Sequence, residues 1–255
     1  MKNRIFFTRH FVSQSVAFRM RDEMLKPNRL RNAGIRMKIT YEAIKANPSV
    51  ETYIKKADES LKALGYTEHS FAHVTKVAMT ASEILLTLGY DEREAELAKV
   101  AGYLHDIGNV INRIDHAQSG AVMAFRILDK MGAEDEDIAT IITAIGNHDE
   151  ATAFPVNPVA AALILADKTD VRYTRVRNQD FASFDIHDRV NYSVKESHVT
   201  VRKGECIELN LTVDTNECSV ANYFEIFLNR MILCKKAAER LEHAFRLIIN
   251  GQQLM

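Results

Sequence analysis

A chain of 255 residues, 47% apolar and 26% charged, can bury a sizeable core as one large domain or as one domain with an appendage. Its 33 Lys and Arg balance 34 Asp and Glu, which argues against a general nucleic-acid or anionic-membrane binder. No apolar run approaches the roughly 18 residues of a membrane span, and Cys206, Cys218 and Cys234, with no CxxC spacing, read as reduced thiols of a cytoplasmic protein.

Residues 1–36 carry nine Lys or Arg against Asp22 and Glu23 and no sustained apolar stripe. They are expected to form a loosely ordered basic extension, with Met37 as a candidate start, and they lack the apolar core of a secretory signal. A helical core is expected over 37–185. Its first helix runs from Ile39 to Leu64, interrupted at Asn47-Pro48 where proline restarts the helix. His69 to Leu88 is the second, apolar along Val74, Val77, Ala78, Ala81, Ile84, Leu85 and Leu88, and Gly89 ends it. Asp91 with Glu94 caps a third, reaching about Ile107. A fourth covers 116–131, a fifth runs from Asp135 or Asp137 to about Asn147, and Asn157-Pro158 opens a sixth. In 186–255 the period changes. Asp185 or Asp188 looks like a helix cap, yet Val190, Tyr192 and Val194 alternate with polar residues. Ile207, Leu209, Leu211 and Val213 alternate too, with a turn at Lys203-Gly204, so a small β-hairpin is expected. A long helix from Ser219 to about Asn250 completes the chain. Its wide apolar arc calls for packing on the core or on a second copy, as a homodimer.

Imidazole and carboxylate residues punctuate these helices. Three His-Asp dipeptides occur, where chance gives about 0.5. His105-Asp106 ends the apolar run AELAKVAGYLHDIGN, and His148-Asp149 follows IATIITAIGN. Helix C-termini are negative and favour a cation. His187-Asp188 sits in a polar junction. With His73, His116 and Asp167, the first two dipeptides supply the ligand types that bind transition metals without sulfur, delivered by several helices as bundles do. Asp170 competes with Asp167 on the same helix face, and Asp167, after the apolar ALILA, is favoured. His69, one turn before His73, reads equally as a site residue or a helix start. Lys168, Arg172 and Arg175 are candidates to receive phosphate, with Lys168 foremost. Asp149 and Glu150 are either proton carriers or caps.

The order of these residues resembles the HD-domain superfamily of metal-dependent phosphohydrolases. The signature H…HD…D is met by His73, His105-Asp106 and Asp167, and the two further histidines of dinuclear members by His116 in DHAQSG and His148 in GNHDE. The resemblance spans about residues 65–172. It implies a mainly α fold, an HD-type helical bundle. It implies hydrolysis of a phosphomonoester or phosphodiester, often nucleotide-like, by a metal-activated water. The metal ligands would be His73, His105, Asp106, His116, His148 and Asp167, holding one or two divalent ions (Mn, Fe, Co or Zn, with Mg also suitable), and Asp106 and Lys168 would be catalytic. The cyclic-dinucleotide branch differs: Asn109 stands where it has Lys, and its GYP stretch and double His are absent. The alarmone-hydrolase pattern is absent after Asp106. Two rival classes use the same residues: a non-catalytic metal- or nucleotide-binding regulatory module, and a di-iron oxygenase. The expected partner is a small phosphorylated substrate, with no membrane.

Overall fold

The structure, a computed structural model, describes residues 36–178 and 184–255. The chain divides into units 1–36 and 37–255, and the described elements lie in the second. The loose basic extension expected over 1–36 falls outside the described residues, apart from Arg36.

Helices α1 (Tyr41–Lys45) and α2 (Pro48–Ala63) meet at Asn47, whose side chain accepts from Ser49 N at 2.9 Å while Pro48 takes the first helical position. Ser70 caps α3 (Phe71–Leu88), and Gly89 ends it in the left-handed region at φ 95°. Asp91 caps α4 (Glu92–Leu104) through Glu94 N at 2.8 Å. That helix stops three residues before Ile107, and a short 3-10 turn, Ile107–Val110, follows. Next come α5 (His116–Lys130), α6 (Asp135–Gly146) and α7 (Pro158–Lys168). Every residue from Val159 to Ala166 is buried, because α7 is enclosed by α3, α4, α6 and a later helix over Val220–Arg240. Its continuous apolar character follows from that position.

Two glycines set how closely the site-bearing helices approach. A Cβ on Gly102 would meet Ala78 Cα at 2.7 Å, so α4 lies directly against α3. A Cβ on Gly108 would meet His116 O at 2.0 Å, so the turn after α4 lies against the start of α5.

The C-terminal part is richer in strand than a hairpin. Asp185 caps α8 (Ile186–Ser193), so Val190 and Tyr192 are helical and the strand β1 begins only at Val194, running to Arg202. It pairs antiparallel with β2 (Cys206–Val213), as the alternation predicts. The last helix, α9 (Val220–Arg240), is shorter than expected: Leu241–His243 turn, with Glu242 at φ 60°, and β3 (Ala244–Ile249) pairs parallel with β2, followed by β4 (Gln252–Gln253). Phe245, Leu247 and Ile249 bury on alternation. Phe245 and Ile248 fall at helical spacing from Ala238 and Leu241 only because the two periods coincide there. β2 is flanked on both sides, which explains its almost continuous burial. The other face of α9 packs on α7. Cys206, Cys218 and Cys234 are free and buried. Among the described residues no helix is long and apolar enough to cross a membrane.

Candidate metal centre

Six side chains from five segments converge beside α7. His73 comes from the first turn of α3, His105 and Asp106 from the end of α4, His116 from the first position of α5, His148 from just beyond α6, and Asp167 from the last turn of α7. All but Asp167 are buried. The rings of His69, His73, His105, His148 and His116 form a continuous edge-to-face chain, with centroids 5.0–5.4 Å apart.

Asp106 lies between two pairs of imidazoles. Its Oδ2 is 3.6 Å from His73 Nε2 and 3.2 Å from His105 Nε2. Its Oδ1 is 3.5 Å from His116 Nε2 and 4.0 Å from His148 Nε2. Asp167 Oδ1 faces the first pair again, at 3.4 Å from His73 Nε2 and 3.6 Å from His105 Nε2. His73, His105 and Asp167 form one compact donor group, and His105, Asp106 and His148 a second.

The other ring nitrogen of each histidine is already engaged. His105 Nδ1–H donates to Gly102 O at 2.7 Å, His116 Nδ1–H to Arg113 O at 3.0 Å, and His148 Nδ1–H to Ile145 O at 2.6 Å. His73 Nδ1–H donates to Asp170 Oδ2 at 2.8 Å. The Nε2 lone pairs are thereby turned inward, the tautomer a metal ligand needs. The Nε2 atoms of His73 and His105 are buried without a hydrogen-bond partner. Those of His116 and His148 stand 3.2 Å apart, two lone pairs facing one another. Buried acceptors so arranged carry an unpaid desolvation cost, which a divalent cation removes. The donor set therefore fits one or two such ions.

Electrostatics agree. Burial opposes ionisation of Asp106, but His105 and the neighbouring imidazoles outweigh it and hold its carboxyl well below the usual range. Asp167 is lowered likewise against burial by Lys168, His105 and His73. Burial disfavours a charge on His105, yet the two carboxylates push it up to about 10. The two carboxylates thus favour positive charge at the place where a metal ion would sit. Burial pushes His148 and His116 down, so both stay neutral and available as ligands.

Around this centre the structure sorts the other sequence candidates. Asp170, the rival of Asp167, stands behind His73 and also receives Lys76 Nζ at 2.8 Å and Arg172 Nε at 2.9 Å. Arg175 donates to Asp170 O and Glu68 O, so it and Arg172 serve the scaffold rather than standing free for phosphate. Lys168 is buried, with Nζ 2.7 Å from Asp167 Oδ2 and 3.5 Å from Glu150 Oε2. Burial would lower its pKa, but Asp167 and Glu150 raise it, so it remains an ammonium. Glu150 also accepts from Arg230 Nε at 2.6 Å. Asp149 Oδ1 is 3.9 Å from His116 Nε2. Asn109, unremarked in the sequence except as a departure from a subfamily, steadies Asp106 by donating from Nδ2 to Oδ1 at 2.8 Å.

The centre opens into a cavity of about 480 Å³. Besides the metal-facing groups it is lined by Tyr66, His69 and Arg113, by Asp185, His187, Asp188 and Asn191 of α8 and its cap, and by Phe227 and Arg230 of α9. The third His-Asp dipeptide therefore reaches the same cavity as the first two. Its excess over chance was the one signal in the sequence that pointed there.

The HD domain family matches residues 70–172 of this chain. An uncharacterized protein of Methanocaldococcus jannaschii is 26% identical over 212 residues, covering 74% of this chain and 80% of that protein. A crystal structure of a predicted HD superfamily hydrolase from an uncultured Thermotogales bacterium is 25% identical, covers 51% of this chain and 73% of its own, and superposes with a TM-score of 0.38. The segment similar to the HD domain, residues 70–172, is the one that carries all six converging side chains.

Proposed function

We propose that this protein is a metal-dependent phosphohydrolase that cleaves a phosphomonoester or phosphodiester of a small, nucleotide-like substrate. The observation that carries the reading is the placement of Asp106, one carboxylate oxygen toward His73 and His105 and the other toward His116 and His148. A carboxylate so placed suits a bridge between two ions. His73, His105 and Asp167 would complete one site, and His116 and His148 the other.

Divalent ions supply Lewis acidity, lowering the pKa of water and neutralising phosphoryl oxygens. The chain's own residues do the rest. Lys168, held as an ammonium, orients Asp167 and keeps positive charge at the cavity wall, so its catalytic role is electrostatic rather than as a base. Asn109 and the backbone carbonyls that receive the Nδ1–H groups fix ligand orientation before substrate arrives. A cavity of about 480 Å³ accommodates a nucleotide-sized molecule. The proposal includes self-association through α9, where Leu228 and Ile232 remain exposed; a monomer in sedimentation at high concentration removes that part.

The decisive experiment is elemental analysis of gently purified, untagged protein. It is followed by phosphate release from a panel of nucleotides and phosphodiesters with Mn, Fe, Co, Zn or Mg, and oxygen uptake as control. About two ions per chain and metal-dependent phosphate release are expected. Iron-dependent oxygen uptake without phosphate release would assign the site to an oxygenase. Metal without turnover of any kind would leave a regulatory binding module.

A further inference from the structure

Four cationic side chains line the cavity, and three of them are neutralised within the protein. Lys168 is paired with Asp167 and Glu150, Arg230 with Glu150, and Arg175 with Asp170. Arg113 is different. Among the described residues no carboxylate lies within ion-pair distance of it. Its guanidinium instead rests over the Tyr66 ring, 5.6 Å from the centroid. Its Nη1 donates at 3.3 Å to Asn109 Oδ1 and approaches His116 Nε2 at 3.4 Å.

These contacts give the side chain two properties. Asn109 and Tyr66 hold it at the cavity rather than in bulk solvent, which limits the entropy lost when it engages a ligand. Its third contact is to the lone pair that the proposed metal would take. When His116 binds a metal that contact is replaced, and the guanidinium is left beside the centre with its N–H donors unmatched by any protein anion. A planar fork of donors without a carboxylate is suited to a phosphoryl group, which it meets with two parallel charge-assisted hydrogen bonds.

We propose that Arg113 is the substrate-binding residue that receives the non-bridging phosphoryl oxygens and fixes the phosphorus on the His116–His148 side of the site. The proposal rests on the phosphohydrolase reading for its substrate, but the anion site itself can be measured without turnover. Lys keeps the charge and loses the fork; Met keeps much of the stem and loses the charge.

The test is calorimetric titration of inorganic phosphate into Mn-loaded full-length protein, wild type against Arg113→Met and Arg113→Lys. Metal content and melting temperature are recorded for each. Hydrogen bonds to a charged group carry about 1.5–3 kcal/mol, so phosphate affinity is expected to fall roughly 10- to 100-fold in Arg113→Met. Arg113→Lys should recover part of it, with metal content unchanged in both. Where turnover exists, KM should rise by a similar factor while the metal requirement stays the same. Phosphate affinity within twofold of wild type in Arg113→Met overturns the proposal. So does a loss of bound Mn that alone accounts for weaker binding, since Arg113 would then support the metal ligands. Absence of phosphate binding by the wild type overturns it as well. A wild type that binds phosphate through Arg113 but hydrolyses no ester leaves this site standing and refutes the hydrolase reading instead.

Discussion

Two sets of residues line the cavity, and they are built differently. The metal-facing set sits on helix ends within residues 70–172, buried except for Asp167, with each imidazole fixed by a hydrogen bond to backbone or to Asp170. Apart from Arg113 and Lys168, the remaining set comes from the chain before and after that segment. Leu64 to Thr67 follow α2, Asp185 to Asn191 start α8, and Phe227 and Arg230 face in from α9. Tyr66 and Leu64 are exposed, and the charge of Arg230 is answered from another element, by Glu150. The first set holds chemistry on rigid supports; the second shapes what can enter, and its residues can change without disturbing the first. Substitutions in the two sets should therefore separate metal binding from substrate binding.

The largest effect is expected at Asp106. Asp106→Asn removes the carboxylate charge between the two imidazole pairs and places an amide where both oxygens are needed. Metal content should drop, and turnover should fall about a thousandfold or more, the several kcal/mol that metal ions contribute. Elemental analysis with kcat on the best substrate checks this; a variant that retains full metal and more than a tenth of the activity breaks the bridging role.

Asp170→Asn tests the support of the rigid set. It touches no ligand atom directly except through His73 Nδ1–H. Loss of such an outer partner lowers metal affinity about 10- to 100-fold, measured by chelator competition. Stability carries a second signature. Burial resists ionisation of Asp170, but the hydrogen bond from His73 and the charges of Arg175 and Arg172 outweigh it, holding its carboxyl well below the ordinary 3.8. The folded state then binds this proton more weakly than the unfolded chain, so the stabilisation is full above about 3.8 and is lost as pH falls toward the lowered folded value. In metal-free protein the stability gap between wild type and Asp170→Asn should be constant near neutrality and shrink on acidification below that point. A gap independent of pH would show that Asp170 contributes by shape rather than by charge.

The difference between the two sets also explains what the sequence could disclose. His73, His105-Asp106, His116, His148 and Asp167 stand at helix ends, and helix ends announce themselves through caps, glycines and the close of an apolar period. Their convergence was legible because each stands where an apolar helical run opens or closes, and the order of the residues matched a known signature. Asp170 was visible only as a competitor: three positions from Asp167, it shares a face, and periodicity alone cannot tell which carboxylate meets the centre and which stands behind His73. The rest of the lining depends on long-range packing. Nothing local in YFEIFLNR says that Phe227 and Arg230 reach a cavity, since their neighbours on α9 cover α7. The sheet was half legible for a related reason. β1 alternates because one face of it is covered, and β2 alternates in sequence although it is almost continuously buried, whereas β3 was absorbed into the preceding helix by apolar spacings that both periods share.

The smallest effect should come from the second set, at Arg230. Its ion pair with Glu150 is half-buried, and its guanidinium also lies over Phe227, 4.5 Å from the ring centroid. Arg230→Gln keeps a donor for Glu150 and removes the charge. Glu150 retains Lys168, which keeps its carboxylate ionised, so the metal-facing wall should be unaffected. A pair of this exposure contributes about 0.2–1 kcal/mol, so KM should rise no more than about fivefold, with kcat and metal content as in wild type. The KM effect should shrink further as ionic strength screens the partly exposed charge. A fall in metal content instead would mean that Glu150 transmits Arg230 to Asp167 through Lys168, and the separation between the two sets of residues would fail at that one link.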